Sequence, residues 1–256
     1  MKVLPVVCFA ALMIYVGQRL IRSGLRSDGA ELWLGLSFVP SGLAITCRFA
    51  VASGLDVGVD PVLANVVAQS CLHFGVACFA AFVWRTFRPV EAWARRLFYG
   101  VAALYTLNVV LFYATGAAAN QSHPFHLLLS TCLSFVYGWG LVEALLFHRS
   151  MRKRAALGLA DPVVTNRFAL FGLWTGGMVL LPAIVSAVRV ISMVSSGQGF
   201  TALDAGGAMV REDAQWALSV IRLAVLLIGL PMIAGIWLSF FPPGRYTRWL
   251  EARAAA

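Results

Sequence analysis

The chain has 256 residues, of which 60% are hydrophobic and 12% are charged. An ordinary soluble domain has roughly 25% charged residues, so this composition excludes the usual kind of soluble globular protein. The net charge is positive, with 20 Lys and Arg against 11 Asp and Glu. The basic residues lack the aromatic interleaving and fold context of a nucleic-acid binder, so no nucleic-acid partner is expected.

Seven apolar stretches fill most of the chain, and each is long enough to cross a hydrocarbon layer. The sequence therefore predicts an all-α, polytopic membrane protein with seven transmembrane helices over residues 1–241, with the lipid bilayer as their partner. A short amphipathic tail, with a turn or two of helix along the inner interface, is predicted over residues 242–256. The predicted helices cover about residues 2–20, 31–53, 61–84, 97–118, 124–148, 167–195 and 214–241.

The basic residues are divided unevenly between the two sets of loops. Fifteen of the 20 lie in the loops around 19–26, 85–96 and 149–167 and in the tail, two lie in the opposite loops, and three lie inside predicted helices. The positive-inside rule then predicts that the N-terminus is outside and the C-terminus is cytoplasmic. Since only two of the 20 are lysines, the sequence favours a GC-rich bacterial source and an inner-membrane location.

Three arginines, Arg48, Arg189 and Arg222, lie inside predicted membrane helices. At 1.5 Å per residue, all three are roughly 8–12 Å below the predicted outer boundary, so they share a layer. A guanidinium at this depth is costly and usually faces protein, water or a ligand. The sequence therefore predicts an anion-binding layer. Lipid headgroups, or static ion pairs with acidic residues of the outer loops, are the alternative explanation.

Each of these three helices also carries a proline on the cytoplasmic side of its arginine. Proline removes a backbone hydrogen bond and commonly kinks a helix. We therefore predict that the outer ends of helices 2, 6 and 7 close around a ligand by bending at three hinges, which are Pro40, Pro182 and Pro231.

Helix 3 carries Asn65, Gln69 and His73 at intervals of four residues, so these side chains are predicted to share one face. Asn108 on helix 4, and Ser130 and Ser134 on helix 5, are candidates to join them. Amides and an imidazole beside three guanidiniums suit a carboxylate, phosphate or sulfate group. The predicted ligand is therefore small and anionic or amphiphilic, with the three helix-3 residues orienting it. Ordinary packing polarity is the alternative explanation of this stripe.

The cytoplasmic side offers a second set of charged residues. Glu143 lies near the cytoplasmic end of helix 5 and is predicted to pair with an inner arginine, with proton transfer as the alternative role. The basic loop 149–167 is a candidate contact for a cytoplasmic or membrane protein partner. Topology signalling alone explains its charge equally well.

No catalytic residues, metal ligands or cofactors are predicted. Helix 7 has no lysine, which excludes a retinal Schiff base of the usual kind, and the four histidines lie at different depths, which disfavours haem ligation. Ser70 and His73 are close in sequence, but no carboxylate accompanies them at that depth, so a hydrolytic triad is not indicated.

Together these features predict a sensor-like or receptor-like protein without its own output domain, which binds its ligand from the outer side. A secondary transporter of a small anion or metabolite would use the same residues. A structural or accessory subunit of a membrane complex would need the arginines only for static ion pairs. An enzyme is the least favoured class.

Overall fold

The computed structural model describes the backbone of residues 4–27, 29–52, 60–116, 124–196 and 215–255. A further set of side chains inside the helices, including those of Arg48, Arg189 and Arg222, lies outside the described part. All regular structure in these ranges is α-helical. There are eight helices: α1 (Leu4–Ser27), α2 (Glu31–Ala52), α3 (Pro61–Phe87), α4 (Ala92–Ala114), α5 (Pro124–Ala155), α6 (Pro162–Ser196), α7 (Gln215–Phe240) and α8 (Gly244–Ala255).

The predicted all-helical architecture is confirmed, and several helices are compatible with a membrane. Four of them, α3 to α6, contain a segment long and apolar enough to cross a bilayer. The end of α7 and the start of α8 meet at 85°, and together they form a fifth candidate if they are taken as one bent span. Seven crossings and the orientation stay predictions.

The helices run beyond the apolar stretches at one end of the bundle, which carries the α3–α4 and α5–α6 connections and which we call the basic end. α5 continues to Ala155 with Arg152, Lys153 and Arg154 in its last turn, and α6 begins at Pro162. Arg and Lys are good helix formers, and cations interact favourably with the dipole of a helix C-terminus. Hydropathy therefore detects only the apolar part of each helix.

Two aspartates begin helices by accepting hydrogen bonds from otherwise unpaired backbone N–H groups. The Asp60 carboxylate accepts from the N–H groups of Val62 and Leu63, both at 3.3 Å, at the start of α3. Asp161 accepts from the N–H of Val163 at 2.7 Å at the start of α6. A cap of this type typically contributes ~1 kcal/mol to helix stability.

Six of the helices form a ring in which sequence neighbours are mostly spatial neighbours. α1 packs on α2, α2 on α3, α3 on α5, α5 on α6 and α6 on α7, and α7 contacts α1. α4 packs against α3 and α5 from outside the ring. The α1–α2 pair is especially close, because a Cβ added at Gly35 would lie 2.7 Å from the carbonyl oxygen of Gly17. Glycine at such a crossing lets two backbones approach.

Aromatic rings fill the centre of the ring of helices. The Phe79 ring stacks on Tyr137 at 4.5 Å between centroids and meets Trp174 edge-on at 5.5 Å. Phe38 meets Trp174 edge-on at 4.9 Å. Further rings continue this packing toward the basic end, namely Phe82, Phe87, Phe147, Phe168 and Phe171. Each well-oriented aromatic pair adds ~1 kcal/mol beyond its area burial, so this half of the bundle is densely packed.

An ion pair closes the basic end between α3 and α5. Nε of Arg88 donates to both carboxylate oxygens of Glu143 at 3.0 Å, and the Glu143 side chain is 7% exposed while that of Arg88 is 34% exposed. The hydrogen bond to Glu143 raises the pKa of Arg88 further above its ordinary value, so the arginine stays charged. The predicted pairing of Glu143 with an arginine of this end is confirmed.

The tail forms a longer helix than expected. A turn or two was predicted after Pro242 and Pro243, whereas α8 has 12 residues. It contacts α6, since Nδ2 of Asn166 donates to the hydroxyl of Tyr246 at 2.6 Å. This hydrogen bond attaches the tail to the start of α6. The cytoplasmic position of the tail stays a prediction.

Candidate ligand site

The structure describes the backbone positions of the three arginines of the predicted anion-binding layer. Arg48 lies in the last turns of α2, Arg189 near the end of α6 and Arg222 in the second turn of α7. Their side chains lie outside the described residues, so whether they face a shared space stays a prediction. The three prolines are described: Pro40, Pro182 and Pro231 lie inside α2, α6 and α7, and each helix continues through its proline.

The predicted polar stripe of α3 is buried at its inner end. Asn65 is half-buried, whereas Gln69 and His73 are 1% and 4% exposed. His73 Nδ1 lies 2.7 Å from the carbonyl oxygen of Gln69, and His73 Nε2 lies 2.8 Å from Nδ2 of Asn108 on α4. The carbonyl can only accept, so the arrangement fits a neutral imidazole with its proton on Nδ1, and Nε2 accepts from the amide.

These contacts join α3 to α4 through Asn108, which was one of the three candidates. The Tyr105 ring of α4 meets the His73 ring edge-on at 5.4 Å. One turn beyond, the hydroxyls of Ser70 and Tyr113 are hydrogen-bonded to each other. We call His73, Asn108 and Tyr105 the α3–α4 seam. Both imidazole nitrogens have partners in the seam, so His73 is already engaged within the protein.

A second group of polar side chains lies at the centre of the bundle and was not singled out from the sequence. It comprises Ser37 and Ser41 of α2, Tyr137 of α5 and Trp174 of α6, which are all at most 2% exposed. We call these four residues the central donor cluster. Among the residues that the structure describes, neither the three hydroxyls nor the indole N–H has a hydrogen-bond partner.

The two serines of the cluster differ from two other buried hydroxyls of the described helices. Thr175 and Ser239 are also buried in helices, and each donates to a carbonyl oxygen one turn earlier in its own helix, at 3.0 and 2.7 Å. This back-bonding is the usual way in which a membrane helix satisfies a hydroxyl. Ser37 and Ser41 do not use it, so their hydrogen-bonding capacity is available to another group.

The cluster is compact because aromatic packing brings its three helices together. The rings of Tyr137 and Trp174 meet edge-on at 5.6 Å. The Tyr137 and Ser37 hydroxyls face each other without a hydrogen bond of ordinary geometry. A Cβ added at Gly75 would lie 2.7 Å from the Ser41 hydroxyl, so α3 closes the cluster on this side.

The chemistry of the cluster favours a ligand that accepts hydrogen bonds. A buried polar group without a partner costs about 1–3 kcal/mol. Hydroxyls and an indole N–H are donors that suit a carboxylate, phosphate or sulfate oxygen. Arg48 is seven residues after Ser41, which places it on the same face of α2 and roughly 10 Å further along the axis. The cluster therefore lies beneath the predicted arginine layer.

Two sequence features mark the cluster in retrospect. Ser37 and Ser41 are one turn apart and flank Pro40. Trp174 and Tyr137 lie in the middle of apolar stretches, whereas tryptophan and tyrosine of membrane helices are enriched at the interfaces. Neither feature fixes which way a helix faces, so the proximity of Tyr137 to Ser37 and to Trp174 appears only in three dimensions.

No group of three or more potential metal-ligating residues occurs within the described ranges. Comparisons with protein-family models, curated proteins and solved structures gave no match to this chain.

Proposed function

We propose that this chain is a receptor-like inner-membrane protein with seven spans, an outside N-terminus and a cytoplasmic C-terminus. It binds a small anionic or amphiphilic ligand from the outer side. Arg48, Arg189 and Arg222 attract and hold the anion near the opening. The central donor cluster forms the deep end of the site.

The observation that carries this proposal is the set of four buried donors without acceptors in the central donor cluster. Three separate helices contribute them, so one ligand group with several acceptor oxygens would satisfy donors of α2, α5 and α6 at once. Such a ligand removes a cost that the unliganded protein bears. In a core that binds no ligand, these buried donors would only lower the stability of the protein.

We propose that bending at the three prolines lets the ligand reach the central donor cluster. The polar atoms of the cluster are buried, so a ligand reaches them only if the helices move. Pro40 lies between the two serines of α2, and Pro182 is two turns after Trp174 in α6. In the proposed cycle, α2, α6 and α7 open at the prolines to admit the ligand and close once it is bound.

The proposal keeps Asn65, Gln69 and His73 as residues that orient the ligand. His73 already accepts a hydrogen bond from Asn108, so we expect its substitution to lower stability as well as binding. The basic loop 149–167 is the proposed contact for a protein partner. It carries the exposed cations of α5 together with Leu157 and Leu159, which are more than 70% exposed.

Aromatic packing favours a receptor over a transporter. Rings from α3, α5 and α6 fill the described interior between the cluster and the basic end. A transporter would have to separate these rings in every cycle, whereas a receptor needs only a small axial displacement of α6 that leaves them packed. Purified protein in liposomes distinguishes the two, because a transporter accumulates labelled ligand and a receptor does not.

The test of binding is a thermal-unfolding screen of the purified full chain against phosphate, sulfate, citrate and decanoate. A probe at 100 times its dissociation constant adds about 2.7 kcal/mol to the stability of the folded state. We expect Arg48→Ala and Ser37→Ala each to remove most of the stabilisation by the best probe. Arg152→Ala, at an exposed cation of the basic end, and Ser239→Ala, at a back-bonded hydroxyl, are the matched controls and should retain it.

Two outcomes would refute the proposal. In the first, no probe stabilises the wild-type protein. In the second, Arg48→Ala and Ser37→Ala respond to the best probe as the two controls do. A stability loss that is the same with and without probe would instead point to an accessory subunit whose arginines form static ion pairs.

A further inference from the structure

A cavity of about 820 Å³ lies between α4 and α5, on the outside of the ring of helices. It is separate from the proposed ligand site, and its wall is almost entirely apolar. Its described lining residues come from two helices: Trp93, Arg96, Leu97, Gly100, Val101, Leu104 and Tyr105 from α4, and Thr131, Cys132 and Phe135 from α5. We call this cavity the α4–α5 groove.

α4 and α5 contact each other through two aromatic rings at the basic end of the groove. The rings of Trp93 and Trp139 lie 6.2 Å apart there. Further along α4, Gly100 lacks a side chain, and a Cβ added to it would meet no described atom within 4 Å. The groove runs from Trp93 to Tyr105, which is roughly 18 Å along the helix axis.

The two ends of the groove differ in chemistry. Arg96 is exposed and is the only charged residue among the described lining residues. It lies beside Trp93 at the basic end, one helical turn from the start of α4. Leu97, Val101 and Leu104 line the length of the groove away from the charge. A cation and a tryptophan at one end of a long apolar channel match the headgroup and the chain of an anionic amphiphile.

We propose that the α4–α5 groove binds an anionic phospholipid of the surrounding bilayer. Its phosphate lies against the Arg96 guanidinium, and one acyl chain lies along α4 toward Tyr105. The basic end is the side on which the positive-inside rule predicts the cytoplasmic leaflet, and basic pockets between membrane helices on that side bind anionic headgroups.

The lining residues argue against a protein helix as the occupant. Helix–helix contacts in membranes rely on small residues that let backbones approach. Large side chains, among them Trp93, Leu104 and Phe135, line most of this groove, and Gly100 is its only glycine among the described residues. A flexible acyl chain follows such a surface without a matching small-residue face.

A bound chain would contact the α3–α4 seam through Tyr105. This ring forms the inner wall of the groove and also meets His73 edge-on. Among the described residues, α4 packs mainly against α3 and α5. The occupant would therefore stabilise the position of α4 on the bundle.

The test measures lipid binding to the purified full chain in a non-ionic detergent by native mass spectrometry. Phosphatidylglycerol and phosphatidylcholine with the same acyl chains are compared with oleate. We expect phosphatidylglycerol to bind about fivefold more tightly than phosphatidylcholine, the usual effect of one arginine near an anionic headgroup. Arg96→Gln should remove this preference, and Arg95→Gln, at an exposed neighbour outside the lining, should keep it.

Gly100→Leu tests the position of the acyl chain, because Gly100 lines the groove and a Cβ added there meets no described atom within 4 Å. It should abolish tight binding of both phospholipids. Gly138→Leu is the matched control, since a Cβ there also meets no described atom within 4 Å and Gly138 does not line the groove.

Several results would overturn the proposal: equal binding of the two phospholipids, equal effects of Gly100→Leu and Gly138→Leu, or tight binding of oleate alone. A dimer in the wild type that Gly100→Leu dissociates would assign the groove to a second copy of the chain. The described lining of the groove does not include Arg48, Arg189 or Arg222. A negative result in this test therefore does not bear on the ligand screen, and a negative ligand screen does not bear on this test.

Discussion

Two groups of buried polar side chains lie near the middle of this bundle, and they differ in how they are satisfied. In the α3–α4 seam, both nitrogens of His73 have partners within the protein, whereas the Asn108 carbonyl oxygen and the Tyr105 hydroxyl have none among the described residues. In the central donor cluster, three hydroxyls and one indole N–H have none among the described residues. A satisfied polar contact specifies which helices pack together, whereas unsatisfied donors reserve capacity for another molecule. The difference separates a structural role from a binding role.

The largest loss of stability is expected when the ion pair between Arg88 and Glu143 is broken. Arg88→Ala leaves the buried carboxylate of Glu143 without its cation. We expect a loss of about 2 kcal/mol in the free energy of unfolding, less than for a fully buried pair because a third of the Arg88 side chain is exposed. Chemical denaturation in detergent measures it. Arg95→Ala, at an exposed position, should change stability little, and equal losses in both variants would contradict the assignment.

The seam should lose stability when one partner is removed. Asn108→Leu leaves Nε2 of His73 without a donor in a buried site, so we expect a loss of about 1–2 kcal/mol. The double variant His73→Leu/Asn108→Leu removes both partners and should lose less than the sum of the single losses. Strictly additive single and double variants would mean that the hydrogen bond contributes nothing.

In the absence of ligand, removal of a donor from the central donor cluster should raise stability instead of lowering it. Tyr137→Phe removes a buried hydroxyl that has no described partner, so we expect the unliganded protein to gain up to ~1 kcal/mol. The same change should weaken binding of the best anionic probe about tenfold, which corresponds to the loss of one good hydrogen bond. Thermal unfolding with and without probe measures both effects. A destabilised apoprotein with unchanged binding would reverse the distinction between the two regions.

The smallest effect is expected at a hydroxyl that is satisfied locally. Ser239 donates to the carbonyl of Gly235 in its own helix. Ser239→Ala should therefore change stability by less than about 0.5 kcal/mol and leave probe binding unaltered. Unfolding curves recorded beside those of Ser37→Ala provide the check. Similar probe dependence in the two variants would show that a missing back-bond is not what distinguishes Ser37.

Much of the fold follows from local sequence. Apolar length located the seven long helices, although it missed up to about two turns of α1, α4, α5 and α6 at the basic end, and charge placed Glu143 beside an arginine of that end. Periodicity correctly grouped Gln69 and His73 on one face of α3, but it does not determine the rotation of that face toward a neighbour. Asn108 was a candidate partner only because it is polar within an apolar helix.

The rest depends on packing between helices that are distant in sequence. Convergence of Ser37, Tyr137 and Trp174 results from aromatic contacts among α2, α3, α5 and α6, and no short pattern encodes it. The α4–α5 groove likewise reflects how two helices diverge around Gly100. Whether Arg48, Arg189 and Arg222 converge depends on side chains beyond the described part of the chain.

The hydrogen bond between Asn166 and Tyr246 has a practical consequence. α6 contributes Trp174 to the cluster and Pro182 as a proposed hinge, and α8 is attached to its first turn. An environment-sensitive fluorophore at position 252 would therefore report axial displacement of α6 from outside the bundle. Emission that shifts on probe addition in the wild type, but not in Tyr246→Phe, would make the tail an optical reporter of ligand arrival.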